Sequence, residues 1–459
     1  MSEANATNST SDKVEADDEG GRHSVFAGFL RDYGMIFVLL LLVVLFSLLT
    51  LAEQHPTGPE AGKQVADHIV ARYGASARVL IVGRDTAGDR EFTKTVADRL
   101  KDHGANVRAN VNGSPADARQ AIEAILARGE SIDAVAANDV TAKWTIYGQF
   151  EQVGRNKLVT PEPYTWPNFL KVTNLLGVAN QTAIYAIIAI GMTMVIITAG
   201  IDLSVGSLVA LASVAGALAI RDWGGGTEAG AGIMILGMVV GIGVAALAGA
   251  FNGFMVTAFR IPSFIVSLAM MSMASGLAYR LSSGASIPQL PRSFFWLGGG
   301  ETLGLPNPVW LMIVLYVIAH IVMTRTIFGR YVYAIGGNEE AARLSGVPVK
   351  RILLVVFTIS GALAGLGGIM LASKLQAGDP KFGLMYELEV IAAVVVGGTS
   401  LLGGSGKILG TLIGAFIIAV IKNGMNLIAV DPFNQKIVLG AVLLAAVLID
   451  TIKRRATRT

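Results

Sequence analysis

Cysteine is absent from the 459-residue chain, which excludes disulfides, thiolate metal sites and cysteine nucleophiles at once. Charge is scarce too: Asp, Glu, Lys and Arg make up 15% of residues, against roughly 25% in ordinary globular domains. The formal net charge is only +3, and the basic residues form no stripe interleaved with aromatics, so nucleic acid is not an expected partner. The five histidines are scattered. His320, alone in an apolar run, reads as a packed helix residue and not as a ligand. What remains is apolar: 53% of residues are hydrophobic, the mean hydropathy is +0.58, and there are 54 glycines. That composition is that of an integral membrane protein whose helices pack closely and break where a path is needed.

Residues 1–34 are rich in Ser, Asn, Asp and Glu and read as a disordered acidic tail and lead-in. Residues 35–52 form an apolar run long enough to span a bilayer, and its acidic leader makes it an anchor and not a signal peptide. Residues 55–166 change character, with frequent charges and short apolar strips, and read as a soluble insert. Further spans are expected near 180–198, 205–220, 231–258, 263–281, 309–323, 352–372, 388–398, 408–428 and 437–452. The run at 388–398 is short enough to be partial or re-entrant. About ten crossings place both termini on one face, and the positive-inside bias names it. Arg325, Arg330, Arg343, Lys350 and Arg351 share one loop, and Lys453, Arg454, Arg455 and Arg458 close the chain, so both belong to the cytoplasm. The insert then lies outside the cytoplasmic membrane.

Within the insert, "ARVLIVG" (77–83), "NVRANV" (106–111) and "IDAVAAND" (132–139) read as strands. They alternate with an amphipathic helix over 88–104 and a second that starts at Ser114 with Pro115 in its first turn. Three parallel strands are expected, too small a sheet for much independent stability. The fold class is therefore an α-helical polytopic membrane protein of about ten transmembrane helices with broken or re-entrant segments, carrying a small α/β domain.

Three stretches carry the functional argument. In "ITAGIDLSVGSLVAL" (197–211) a lone carboxylate, Asp202, stands between apolar runs, flanked by Gly200, Ser204 and Gly206. An Asp at the centre of a span costs roughly 2.5–3.5 kcal/mol on insertion scales, so it marks a helix break, a water-filled path or a partner. It either caps the helix beginning near Val205 or serves transport. In "GRYVYAIGGNEEAARLSGVPVKR" (329–351), Asn338 is a good N-cap, Glu339 and Glu340 favour the first turn, and Gly346 can end the helix. Such a rigid polar helix is either a solvated connection or a grip for a soluble motor. In "YELEVIAAVVVGGTSLLGGSGKILGTLIGAF" (386–416), Glu387 and Glu389 stand at the mouth of a span and Thr399 and Ser400 at its other end. The piece echoes the first motif, hinting at a two-half repeat. "LLGGSGKIL" is not a phosphate-binding loop, since Leu401 and Ile408 stand where Gly and Ser or Thr are needed. No hydrolase constellation is visible, so the chain is not expected to be an enzyme.

Together these motifs resemble the membrane permease of bacterial ABC importers for monosaccharides, the ribose, xylose and galactose permease family, from about Trp166 to the C-terminus plus the first span. The resemblance implies a permease subunit translocating a monosaccharide across the cytoplasmic (inner) membrane. A second permease copy, a cytoplasmic ATP-binding subunit holding ATP and Mg, and a periplasmic sugar-binding protein are its implied partners, and no cofactor is expected in this chain. It also implies that Asn338, Glu339, Glu340, Ala341, Ala342, Arg343 and Gly346 contact the ATPase. Asn180, Gln181, Asn252, Ser263 and Phe264 are candidates for a path suited to an uncharged polyol, or equally for bonds between helices. The insert departs from the family; its "ADARQAIEAILARGESIDAVAAND" resembles part of one lobe of a periplasmic sugar-binding protein, which implies docking, regulation or decoration. A permease for another small polar solute, such as a nucleoside, and a membrane-anchored sensor remain alternatives.

Overall fold

The computed structural model describes residues 34–456; the acidic leader, Arg458 and the final threonines lie outside the described residues. The chain divides into two compact units, one spanning Leu51–Asn168 and the other made of the flanking segments. The first apolar run forms helix α1 (Gly34–Leu49).

The smaller unit is held closed at its base. Strand β1 (Leu51–Gln54) pairs antiparallel with β6 (Tyr164–Pro167), so the chain enters and leaves side by side, as an insertion requires. Between them run α2 (Gly58–Tyr73), β2 (Arg78–Gly83), α3 (Ala87–Asp102), β3 (Asn106–Asn112), α4 (Pro115–Ala127), β4 (Ala134–Ala137), the single turn α5 (Asp139–Ala142) and β5 (Leu158–Val159). The parallel sheet has the order β3-β2-β4-β5. Four strands stand where three were expected, because a two-residue strand shows no alternation in sequence. Both faces of the sheet are covered, which is why β2 and β4 read as unbroken apolar runs. Val65, Ile69, Phe92, Val96 and Leu100 pack on one face, and Ile122, Ile125, Ile132 and Tyr147 on the other. The Ser114 hydroxyl accepts from the Asp117 amide while Asp117 accepts from the Ser114 amide, a capping box that fixes the start of α4.

The larger unit continues with α6 (Val172–Ile197), α7 (Val205–Gly224), α8 (Ala231–Phe259), α9 (Ser263–Leu281), the short α10 (Phe295–Gly299) and α11 (Asn307–Arg325). Then come α12 (Ile327–Gly337), α13 (Glu339–Leu344), α14 (Val349–Leu375), α15 (Tyr386–Val396), α16 (Ile408–Leu427) and α17 (Pro432–Ala456). Among the described residues, seven helices are long and apolar enough to cross a membrane: α6, α7, α8, α9, α11, α14 and α16. Gly34–Leu49 and Pro432–Leu448 are shorter apolar helices. Helix α15 has 11 residues, about 16 Å of helix against a hydrocarbon core of about 30 Å, so it is a half-span. The expected set of about ten crossings, one of them short enough to be partial, thus resolves among the described residues into seven long helices, two shorter ones and the half-span α15.

Helices α6 and α7 lie at the centre, packed on α14, whereas α8, α9 and α11 turn large apolar side chains outward, among them Val239, Leu247, Leu268, Val317 and Ile321. His320 shares that outward face of α11 and is exposed rather than packed, which corrects the expectation drawn from its apolar neighbours. Helices α8 and α14 meet backbone to backbone: a Cβ at Gly249 would overlap the Phe357 carbonyl, and one at Gly361 the Ala245 carbonyl. Small residues there let two long helices approach where lipid supplies no hydrophobic drive.

Candidate functional site

The site lies in a buried non-helical link between the two spans α6 and α7. Helix α6 ends at Ile197 after Thr193 and its neighbours have been buried on all sides. Ala199 then takes a left-handed conformation, φ 61°, and the chain runs non-helically to Ser204 before α7 resumes at Val205. Such a break frees backbone amides that hydrocarbon cannot satisfy. Three of them are taken by a hydroxyl or carboxylate. The Ile201 amide donates to Ser263 Oγ and the Leu203 amide to Ser267 Oγ, both at 3.0 Å. The Ser204 amide and hydroxyl donate to Asp202 Oδ1 at 3.0 and 2.6 Å, and the Ser360 hydroxyl of α14 donates to Oδ2 at 3.0 Å. Asn252 Nδ2 on α8 donates to Ser204 Oγ at 3.1 Å.

Asp202, Ser204, Asn252, Ser267 and Ser360 are all fully buried, and among the described residues no cation pairs with Asp202. The carboxylate works here through its lone pairs, gathering three donors, one from α14 and two from Ser204 at the end of the non-helical segment. Ser204 is the N-cap residue of α7 but makes no side-chain bond into its first turn, and Asp202 bonds Ser204 instead of the turn beyond. Asp202 therefore shapes the break ahead of the helix; it does not cap α7.

Of the path candidates, the structure brings Gly200, Asp202, Ser204, Asn252 and Ser263 together, with Gly206 on the first turn of α7 beside the Glu387 carboxylate. Phe264 points outward from α9, half exposed. Asn180 and Gln181 lie earlier on α6, the Asn180 Oδ1 buried without a hydrogen-bond partner among the described residues and Gln181 exposed. Glu389 sits half-buried between helices and not on an open rim, paired with Lys422 Nζ at 2.8 Å.

Thr399 and Ser400 belong to a second polar knot, between the half-span α15 and α16. Ser400 Oγ accepts from the Leu402 amide at 3.1 Å, and the Tyr333 hydroxyl of α12 donates to the Gly406 carbonyl at 2.8 Å. The knot meets the first break directly. The Gly404 amide donates to the Ile197 carbonyl at 2.9 Å, and Gly403, at φ 84°, packs on Ala199. Gly336 closes the junction, for a Cβ there would overlap the Ile197 carbonyl and crowd the Gly404 amide.

Two residues later the polar helix α13 begins. Asn338 Oδ1 accepts from the Ala341 amide at 2.9 Å, Glu339 and Glu340 occupy the first turn, Glu340 pairs with Arg343, and Gly346 ends the helix at φ 83°. The Arg343 guanidinium holds the Glu340 carboxyl below its ordinary range. Ala342 alone is buried, packed toward the bundle, so the charged side faces away. Residues 327–337, expected as part of a loop, form the amphipathic helix α12 on which α13 is carried.

Sequence reasoning missed Ser267, Ser360, Gly336, Tyr185 and Lys422. Ser263 and Ser267 stand four residues apart, a spacing that puts both hydroxyls on one helix face, and Lys422 is a charge in an apolar run just as Asp202 is. Gly336 had no signal among so many glycines.

A bundle of apolar helices with a buried, hydroxyl-bound link between two of its spans, a half-span, and a polar helix carried at one end is a membrane transport permease. The chain belongs to the family described as the branched-chain amino acid transport system permease component, which matches residues 174–447. It is 42% identical over 292 residues to the ribose import permease protein of Escherichia coli (strain K12), covering 63% of this chain and 88% of that one. It is 40% identical over 293 residues to the L-arabinose transport system permease protein of the same strain, 64% and 87% of the two chains. The ribose import permease protein of Bacillus subtilis (strain 168) is 42% identical over 288 residues, 62% and 86%. No solved structure matches. The family match leaves residues 51–168 aside. As a permease component the chain is a multi-pass transport subunit and not an enzyme.

Proposed function

We propose that the chain is the membrane-spanning subunit of an ATP-binding cassette importer that carries a monosaccharide across the cytoplasmic membrane. One observation carries the reading: relatives named for ribose and arabinose import are about 40% identical along nearly nine-tenths of their length. The family description speaks of branched-chain amino acids. The sugar permeases outweigh it because they match along nearly nine-tenths of their own length at about 40% identity.

In this reading α13, with Glu339, Glu340 and Arg343 outward, is gripped by a cytoplasmic ATPase that holds the ATP and Mg, and a sugar-binding protein delivers substrate on the opposite face. Two copies of the permease enclose the path. Both termini are cytoplasmic, and the unit 51–168 lies outside, since one crossing precedes it and the basic loops mark the other side. Uptake of radiolabelled D-ribose, L-arabinose, D-xylose and D-galactose into proteoliposomes, with ATPase and binding protein supplied, tests the reading. Accumulation of one of them that stops without ATP is the expected result; failure of all four overturns it.

A further inference from the structure

Polar side chains inside a membrane helix face a partner or water, because hydrocarbon cannot solvate them. Five meet between α6, α15 and α16, away from the Asp202 break. Lys422 Nζ lies 2.8 Å from Glu389 Oε1 and 3.4 Å from the Tyr185 hydroxyl. The same ammonium stands 5.1 Å from the centre of the Tyr185 ring, and the Tyr386 ring packs on that of Tyr185 with 4.5 Å between centroids. Gln181, one turn before Tyr185, completes the rim. The other Glu389 oxygen, Oε2, is buried and has no hydrogen-bond partner among the described residues. A buried carboxylate oxygen that no donor meets in good geometry is costly, so the site is chemically incomplete as it stands.

The cluster also lies where water must reach. Tyr185 is near the middle of the 26-residue α6, hence near the centre of the bilayer. Gln181 is exposed, and the Lys422 and Glu389 side chains keep 21% and 17% of their surface. The outward faces of α8, α9 and α11 present apolar groups at comparable depth, so they suit lipid and this face does not.

We propose that Gln181, Tyr185, Tyr386, Glu389 and Lys422 form a sugar subsite on the wall of the translocation path, an inference that rests on the importer reading above. The notch between them is about 10 Å³, room for one oxygen atom and not for a sugar ring. A passing sugar lies against the wall with one hydroxyl in the notch. The Glu389 carboxylate turns to offer Oε2 to that hydroxyl, which also accepts from Lys422, and the Gln181 amide takes its neighbour. The ligand class is an uncharged polyol with adjacent hydroxyls. Because the ion pair satisfies itself in part, the contact is weak, as a transit site must be.

The test uses the whole permease with its ATPase in proteoliposomes and the loaded binding protein outside. Tyr185→Phe, Glu389→Gln and the paired Glu389→Gln/Lys422→Met, which leaves no lone charge, are compared with wild type on whichever of D-ribose, L-arabinose, D-xylose and D-galactose is transported. The expected result is a fall of about tenfold or more in maximal uptake for both Glu389 variants, with half-saturation by the loaded binding protein unchanged, since the notch is reached after delivery. In parallel, Gln181→Cys, in a chain otherwise free of cysteine, should react with a membrane-impermeant thiol reagent and be protected by the transported sugar during turnover. Wild-type uptake with wild-type kinetics in all three variants, or a Gln181→Cys reached only by a lipid-soluble reagent, overturns the subsite and leaves the importer reading standing. Absence of uptake of every sugar by the wild type fells the importer reading first.

Discussion

Ser360, in the middle of α14, donates its hydroxyl to Asp202 Oδ2 at 3.0 Å, joining two residues 158 positions apart at the buried link between α6 and α7. With both Ser204 donors on the other oxygen, the carboxylate is an assembly point for a bend that would otherwise strand three polar groups in a dry interior. Asp202→Asn keeps an acceptor for Ser204 and presents an amide to which Ser360 Oγ can turn as acceptor. It is expected to retain much of the uptake. Asp202→Leu strands those groups at about 1–3 kcal/mol each, and uptake and detergent-solubilised stability should both collapse. Equal loss of uptake in the two variants at equal stability would assign the role to the negative charge itself.

The junction at Gly336 yields a second prediction. A methyl group there meets the Ile197 carbonyl and the Gly404 amide, both backbone atoms that cannot rotate away. Gly336→Ala must therefore push α12 from α6 or from the knot, and overpacking of this kind costs about 1–3 kcal/mol. Since α12 carries α13, the expected phenotype is uncoupling: the ATPase still co-purifies, but sugar-stimulated hydrolysis no longer drives uptake. Gly337→Ala, with open space around its added Cβ, is the control and should behave as wild type.

At α13 the expectation is loss of docking. Glu340→Lys removes the pair with Arg343 and places a cation in a helix N-terminal turn, and Gly346→Val forces a β-branched residue to φ 83°. Membrane insertion should persist in both while the ATPase is lost on co-purification. Wild-type recovery of the ATPase with normal stimulated hydrolysis would remove α13 from the docking surface.

How much of this was legible in sequence depends on whether a residue's role is local. Asn338, Ser114 and Gly346 act within one turn of their own chain, and spacing alone assigned them. Asp202 was conspicuous as a charge among apolar residues, but its partners Ser267 and Ser360 lie on other helices, where a serine in an apolar run is unremarkable. The half-span α15 was legible from the shortness of its apolar run, but the packing of the second knot against Ile197 and Gly336 was not, since it joins segments distant in sequence. Lys422 carried the same signal as Asp202 and was readable. Gly336 was not, because backbone contact leaves no trace in a glycine-rich sequence.

The inserted unit 51–168 supplies the last prediction, through its charged groups. Asp133 accepts three bonds from Arg78, at 2.7, 2.8 and 2.9 Å, one of them from the Arg78 backbone, and so ties the start of β2 to the loop before β4. The Arg78 side chain holds the Asp133 carboxyl below its ordinary value despite partial burial. For Asp89, burial pushes the carboxyl up, but bonds from the Arg84 side chain and backbone bring it down overall. Both folded values are therefore depressed. A depressed carboxylate contributes stability that is present above the unfolded value, near pH 4, and is lost as pH falls through the folded value. The unit should thus lose stability on acidification below about pH 4, ahead of an Asp133→Asn, Asp89→Asn variant in steepness though not in starting stability. Hydrogen exchange of β2 and β4 in the whole permease, followed from pH 7 to pH 3, measures it: the wild type should start better protected and fall faster, and parallel curves for the two proteins would show that neither carboxylate couples folding to protons.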